Sequence, residues 1–194
     1  MTTSPRSIVL ASRSPRRRAL AESEGWIVRV VEPPEEAEAA EGPIGPGESL
    51  ADYVMRLAWA KARAVAAKVP AGLLVACDTV SEVAGEILGK PADEADARRM
   101  LELLSGRRHR AMTGTCVWPR PEGEPVFTAT ESELEMKPLS TAAIDAYLAT
   151  GLWRGKAGAC GYQDEAIPLE LRAGSGSNVV GLPLETLREI FRRV

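Results

Sequence analysis

The sequence predicts an α/β fold: a mixed, twisted sheet flanked by helices, within one domain of 194 residues. Three observations carry this. Short apolar runs such as Ile8–Ala11 and "LLVACDTVSEV" alternate along the whole chain with capped, amphipathic helical segments. The hydrophobic fraction of 45% and charged fraction of 26% suit a globular chain with a real core. No apolar run approaches the roughly 20 residues that would span a bilayer, and the N-terminus carries no segment of secretory type.

The elements follow in order. Ile8–Ala11 reads as a buried strand. Ser14 and Pro15 then open a helix, because serine caps well and proline suits the first helical position; Gly25 stops it. Trp26–Val31 is a second strand. Residues 32–49, rich in Pro, Gly and Glu, read as a mobile loop. A helix runs from Leu50 to Lys68. "LLVACDTVSEV", "AGE" and "ILGKP" read as strand, turn and return segment. "ADEADARRMLELLSG" is a helix capped by Asp93 and stopped by Gly106, with Ala97, Met100, Leu101 and Leu104 on one face. His109–Trp118 and Val126–Lys137 pair around "PRPEGEP". Ser140 caps a helix to Thr150, residues 155–181 hold short strands among glycines, and Leu184–Arg192 is the final helix.

Several function classes are excluded early. The net charge of −3 argues against a global pull toward nucleic acid, as do the single basic cluster and few aromatics. Three scattered cysteines (Cys77, Cys116, Cys160) give neither a disulfide framework nor a zinc site, and suit a reducing cytosol. The one histidine, His109, reads as an ordinary strand residue, which leaves serine or cysteine nucleophile chemistry without its usual base.

Local rules break at three places, and these point to chemistry. In "SRSPRRR", Arg16 and Arg17 occupy a first helical turn, the wrong end for cations, at a cost of a few tenths to about 1 kcal/mol each. A phosphate there would reverse the sign, with serine hydroxyls, free N–H groups and guanidinium forks around it. Arg18 reads as a surface residue. Lys61 falls at the centre of the apolar stripe of Leu50, Val54, Leu57 and Ala64; alone it reads as a lysine snorkelling past the core edge. Asp78 interrupts an apolar strand and is expected at its open end, paired or beside a metal, since a lone buried carboxylate is costly. Twelve residues on, Lys90 sits in the tight "LGKP". One constellation joins them: Arg16, Arg17, Lys61 and Lys90 toward phosphates, Asp78 toward a metal or water. No Walker loop or dinucleotide fingerprint is present.

Five stretches, "LASRSPRR", "CDTV…GEILGKP", "ARRMLELLSGRRHRAMTG", "KAGACGYQ" and "SNVVGLPLETL", resemble in order the motifs of the Maf-like nucleotide pyrophosphatases. The resemblance implies a two-lobed, ITPase-like fold with a central cleft, a cytoplasmic location, a divalent cation (Mg²⁺ or Mn²⁺), often a homodimer, and hydrolysis of a nucleoside triphosphate to the monophosphate and pyrophosphate. It implies catalysis by Asp78, phosphate binding by Ser12, Arg16, Arg17, Lys61 and Lys90, and a metal held by Asp78 with Glu36 (or Glu35). Arg16, Thr79 and Gln163 match the dTTP/UTP type, against a 7-methyl-GTP type with tryptophan after "SP". Arg16 would repel a cationic methylated guanine, and a glutamine amide can pair with a pyrimidine edge. Leu152, Gly155, Cys160, Tyr162 and Asp164 depart from the family pattern around the specificity loop. The alternatives are a 7-methyl-GTP pyrophosphatase and a nucleotide-binding regulator of cell division. On the enzyme reading, Asp78→Asn cuts turnover by orders of magnitude with little loss of folding.

Overall fold

The computed structural model describes residues 6–39 and 42–194, with backbone alone at 38 and 39. In chain order the elements are β1 (Ser7–Ala11), α1 (Pro15–Ser23), β2 (Ile27–Val30), α2 (Glu36–Ala39), α3 (Leu50–Val65), β3 (Gly72–Val83), β4 (Glu86–Leu88), α4 (Glu94–Leu104), β5 (Arg108–Arg120), β6 (Val126–Met136), α5 (Thr141–Ala149), β7 (Leu169–Ala173), α6 (Gly176–Val180) and α7 (Leu184–Phe191). Seven strands form one mixed sheet in the order β2-β1-β3-β5-β6-β7, with β4 on β3. β1 pairs in parallel with both β2 and β3, whereas β3–β4 and β6–β7 are antiparallel. Among the described residues no helix is long and apolar enough to cross a membrane.

The chain divides into two compact units. The first comprises Met1–Asp78, Thr113–Thr130 and Gly181–Val194; the second comprises Thr79–Met112 and Glu131–Val180. In the first unit the strands are buried on both faces. Ile8, Leu10, Val75 and Cys77 meet Ala21 of α1 and Leu187 and Phe191 of α7. Their alternates Val9, Ala11, Leu74 and Ala76 meet Ala58, Ala62 and Val65 of α3. Two covered faces explain why these strands read as continuous apolar runs rather than as alternation. Helix α3 sits directly on the β5 backbone: a Cβ at Gly114 would lie 2.1 Å from the Val54 carbonyl oxygen.

The second unit has a one-sided core. Val83, Leu88 and Met136 pack under Met100, Leu101 and Leu104 of α4 and Ile144, Tyr147 and Leu148 of α5. Charged residues of β3, β5, β6 and β7 cross-pair instead, as in Arg110 with Glu82 and Glu131, and Arg172 with Glu135. Such half-exposed antiparallel strands alternate in sequence.

The caps read from sequence are in place. Ser14, Ser49, Asp93 and Ser140 each accept from a backbone N–H three residues on. Two stretches differ from expectation. The loop 32–49 contains the short helix α2, and residues 40–41 lie outside the described residues. The stretch 155–181 holds one strand, β7, and the helix α6, because Ser175 supplies hydroxyl and carbonyl acceptors to the amides that open it.

Candidate active site

In the first unit, the end of β1, the start of α1, the middle of α3 and the centre of β3 bring four predicted residues together. Beyond Ala11 the chain turns through Ser12, which is buried and whose Oγ accepts from the Ser14 amide at 3.1 Å. Ser14 Oγ accepts in turn from the Arg17 amide at 3.4 Å. The hydroxyls therefore shape the turn as well as the helix start. Arg16 and Arg17, both half-buried, stand in a first turn that carries no acidic residue.

Arg17 reaches 164 residues along the chain: its Nε donates to the Gly181 carbonyl at 2.7 Å, and its Nη1 donates to the Cys77 carbonyl at 2.9 Å. The structure commits two of its donors to backbone carbonyls, which fixes the peptide just before Asp78 and offsets the cost of a cation at a helix N-terminus.

Lys61 does not snorkel. It is 3% exposed, and its Nζ donates to the Cys77 carbonyl at 3.1 Å and to Asp78 Oδ1 at 2.5 Å. The stripe of α3 therefore faces β3 with the lysine inside it. Asp78 is not at a strand end either. It is 5% exposed, in the middle of β3, because that strand continues into antiparallel pairing with β4. What ends near Asp78 is the parallel pairing with β1, whose last partners are Ala11 and Ala76. Open α/β sheets place ligand sites at such strand ends. Arg17 and Lys61 both donate to one carbonyl beside a single carboxylate, so the cluster carries surplus positive charge suited to an anion.

Glu36, expected near a metal, opens α2 and is exposed; Glu35 is ion-paired with Arg13 at 2.5 Å. In the second unit, Thr79 follows Asp78 in β3 and is half-buried, and Lys90 is exposed just beyond β4. The carbonyl of the preceding Gly89 accepts from the Gly158 amide at 3.0 Å, which ties the "KAGAC" segment to the Lys90 loop. Gln163 is exposed on a turn closed by the Asp164 amide on the Gly161 carbonyl at 3.0 Å.

That turn holds groups to which the sequence assigned no role, Asp164 having stood out only as a departure from the family pattern. Asp164 accepts from Lys156 Nζ, from Tyr147 Oη at 2.5 Å and from the Gly161 amide at 2.8 Å. The hydrogen bonds from Lys156 and Tyr147 hold its carboxyl below the usual range against the opposing effect of burial. The available signal was a lysine and an aspartate eight residues apart in a glycine-rich stretch.

Residues 7–194 match the family described as Maf-like protein. The chain belongs to this family. It is 41% identical over 188 residues to a dTTP/UTP pyrophosphatase of Rhodopirellula baltica, covering 96% of this chain and 82% of that one. It is 45% identical to proteins of the same name from Sphingopyxis alaskensis, over 97% of this chain and 96% of that one, and Geobacter sulfurreducens, over 96% of each. The solved structure of a HAM1 protein from Coxiella burnetii shares the fold, with a TM-score of 0.52 and 17% identity over 97% of this chain and 100% of that one.

The other reactive side chains of this Maf-like chain are muted. Burial raises all three thiols, Cys116 and Cys160 to about 12, so none is a thiolate near neutrality. His109 is buried and its pKa is lowered by desolvation, which keeps the ring neutral. Among the described residues no group of three or more His, Cys, Asp or Glu forms a ready cage for a metal.

Proposed function

We propose that this chain hydrolyses dTTP and UTP to the nucleoside monophosphate and pyrophosphate. The observation that carries the reading is the buried Lys61–Asp78 pair beside the end of the β1–β3 parallel pairing and the Arg16/Arg17 turn. It joins a single acid to an excess of cations, which is what attack of water on a phosphoanhydride requires. The names of relatives at 41–45% identity support the substrate.

In this reading a water oxygen bonds to the α-phosphorus, the bond to the bridging oxygen breaks, and pyrophosphate leaves. Asp78 orients that water and takes its proton. Lys61 holds the Asp78 carboxylate in place. Arg17 fixes the Cys77 peptide, and with it the direction of Asp78. Ser12, Arg16, Arg17, Lys61 and Lys90 serve the triphosphate, while Arg16, Thr79 and Gln163 select the base. Asp78 and Glu36 are the residues that would hold Mg²⁺ or Mn²⁺; when bound, the cation neutralises charge on the phosphate oxygens.

The test is turnover of a panel of normal and modified triphosphates with Mg²⁺ or Mn²⁺, scoring pyrophosphate against orthophosphate. Pyrophosphate from dTTP and UTP is expected. Orthophosphate as the main product overturns the reaction, and fastest turnover of 7-methyl-GTP overturns the substrate.

A further inference from the structure

We infer that Asp164 is a positioning residue for base selection, acting through Gln163. The inference rests on the reading that Gln163 meets the base. Gln163 occupies the third position of the turn from Gly161 to Asp164, and it is exposed while its neighbours are pinned. On one side, the Tyr162 ring lies against Gly176, where a Cβ would come within 2.8 Å of Tyr162 Cε1. On the other, Asp164 anchors the turn twice over. Its carboxylate returns to the Gly161 amide at 2.8 Å and closes the turn from the side-chain side. It also bolts the turn to the body of the unit through Lys156 and through Tyr147, a residue of α5 that is 1% exposed.

The fit of this anchor is tight. Side-chain exposure is 8% for Lys156 and 11% for Asp164. A Cβ at Gly161 would lie 3.0 Å from both Asp164 oxygens and from Lys156 Nζ, so the carboxylate packs against backbone that only glycine leaves open. A buried ion pair of this kind contributes little net stability but fixes geometry. An amide that must tell one donor–acceptor edge from another discriminates only when its backbone is held to a fraction of an ångström. The carboxylate supplies that constraint, and Gln163 presents its amide from a rigid turn.

The test measures equilibrium binding of non-hydrolysable α,β-methylene analogues of UTP and GTP, with melting temperature recorded for each variant. Asp164→Asn is expected to cut the UTP-over-GTP preference about tenfold, as for loss of a charge-assisted hydrogen bond. Tyr147→Phe removes one hydrogen bond, keeps the ion pair, and is expected to cut it about threefold. In the Gln163→Ala background, Asp164→Asn is expected to change the preference no further, which a merely structural role would not produce. A wild-type chain that binds both analogues equally overturns the base-selection reading and this inference with it. A wild-type preference that survives both single substitutions, or an undiminished effect of Asp164→Asn in the Gln163→Ala background, overturns this inference alone.

Discussion

Among the described residues, each unit holds a lysine–aspartate pair with little exposure, and the two are built differently. In the first, Lys61 comes from a helix and Asp78 from the middle of a strand, 17 residues on, and the lysine divides its donors between the carboxylate and the Cys77 carbonyl. In the second, Lys156 and Asp164 flank a glycine-rich turn, and both carboxylate oxygens are occupied, with a phenol and an amide added to the lysine. Those donors hold the carboxylate in place on every side, which suits the anchoring part inferred for it. The Lys61–Asp78 pair stands on a helix and a strand beside surplus cations, which is the setting the proposed water-handling role of Asp78 needs. Both are lysine–aspartate pairs of low exposure, and their different partners underlie the different work proposed for them.

Experiments on the two pairs should give different readouts. Chelation of the divalent cation gives the largest effect: pyrophosphate release should cease with excess chelator and return with Mg²⁺, while the melting temperature of the nucleotide-free chain stays within about 1 °C, because no protein cage is emptied. Asp78→Asn comes next. Turnover should fall by about 10² to 10⁴, whereas Asp164→Asn should raise KM for UTP more than it lowers kcat. Equal losses of kcat in both would erase the distinction. The structure also revises the folding cost of the first substitution. Because Asp78 is the partner of a buried lysine, Asp78→Asn should destabilise by about 3 kcal/mol in chemical denaturation, rather than leave folding untouched.

Smaller effects test the supports. Gly114→Ala forces a methyl group into the Val54 carbonyl, and should cost about 3 kcal/mol and lower the melting temperature by about 6–12 °C. It loosens the helix that carries Lys61, so activity should fall with it. The pH dependence probes two groups of the second unit. His109, the one histidine, has a pKa lowered from 6.5 by burial, so the unfolded chain takes up its proton first. Stability should be full above pH 6.5 and decline as pH falls below it, and His109→Gln should remove that slope. The carboxyl of Asp164 is lowered from 3.8, so its contribution is present above that value and lost as pH falls below it. Asp164→Asn should flatten that acid limb, read by urea titrations between about pH 2 and 5. Smallest is Arg110→Ala on the charged sheet face, where exposed pairs contribute less than about 1 kcal/mol.

Most of the local structure was legible in the sequence. Ser14, Ser49, Asp93 and Ser140 announced their helices because a cap is a contact across three residues. The two-faced burial of β1 and β3 was legible as unbroken apolar runs, and Arg16, Lys61 and Asp78 stood out because each violates a short-range rule. What those violations mean was decided only by tertiary structure. The partner of Lys61, the two carbonyls that Arg17 holds, and the place of Asp78 in mid-strand depend on residues 16 to 164 positions apart. Periodicity says which face of a helix is buried, but not what lies across from it. Asp164 was the least visible: its neighbours in sequence predict an ordinary turn. Its role comes from an α5 tyrosine 17 residues away and from the backbone space that Gly161 leaves for its carboxylate.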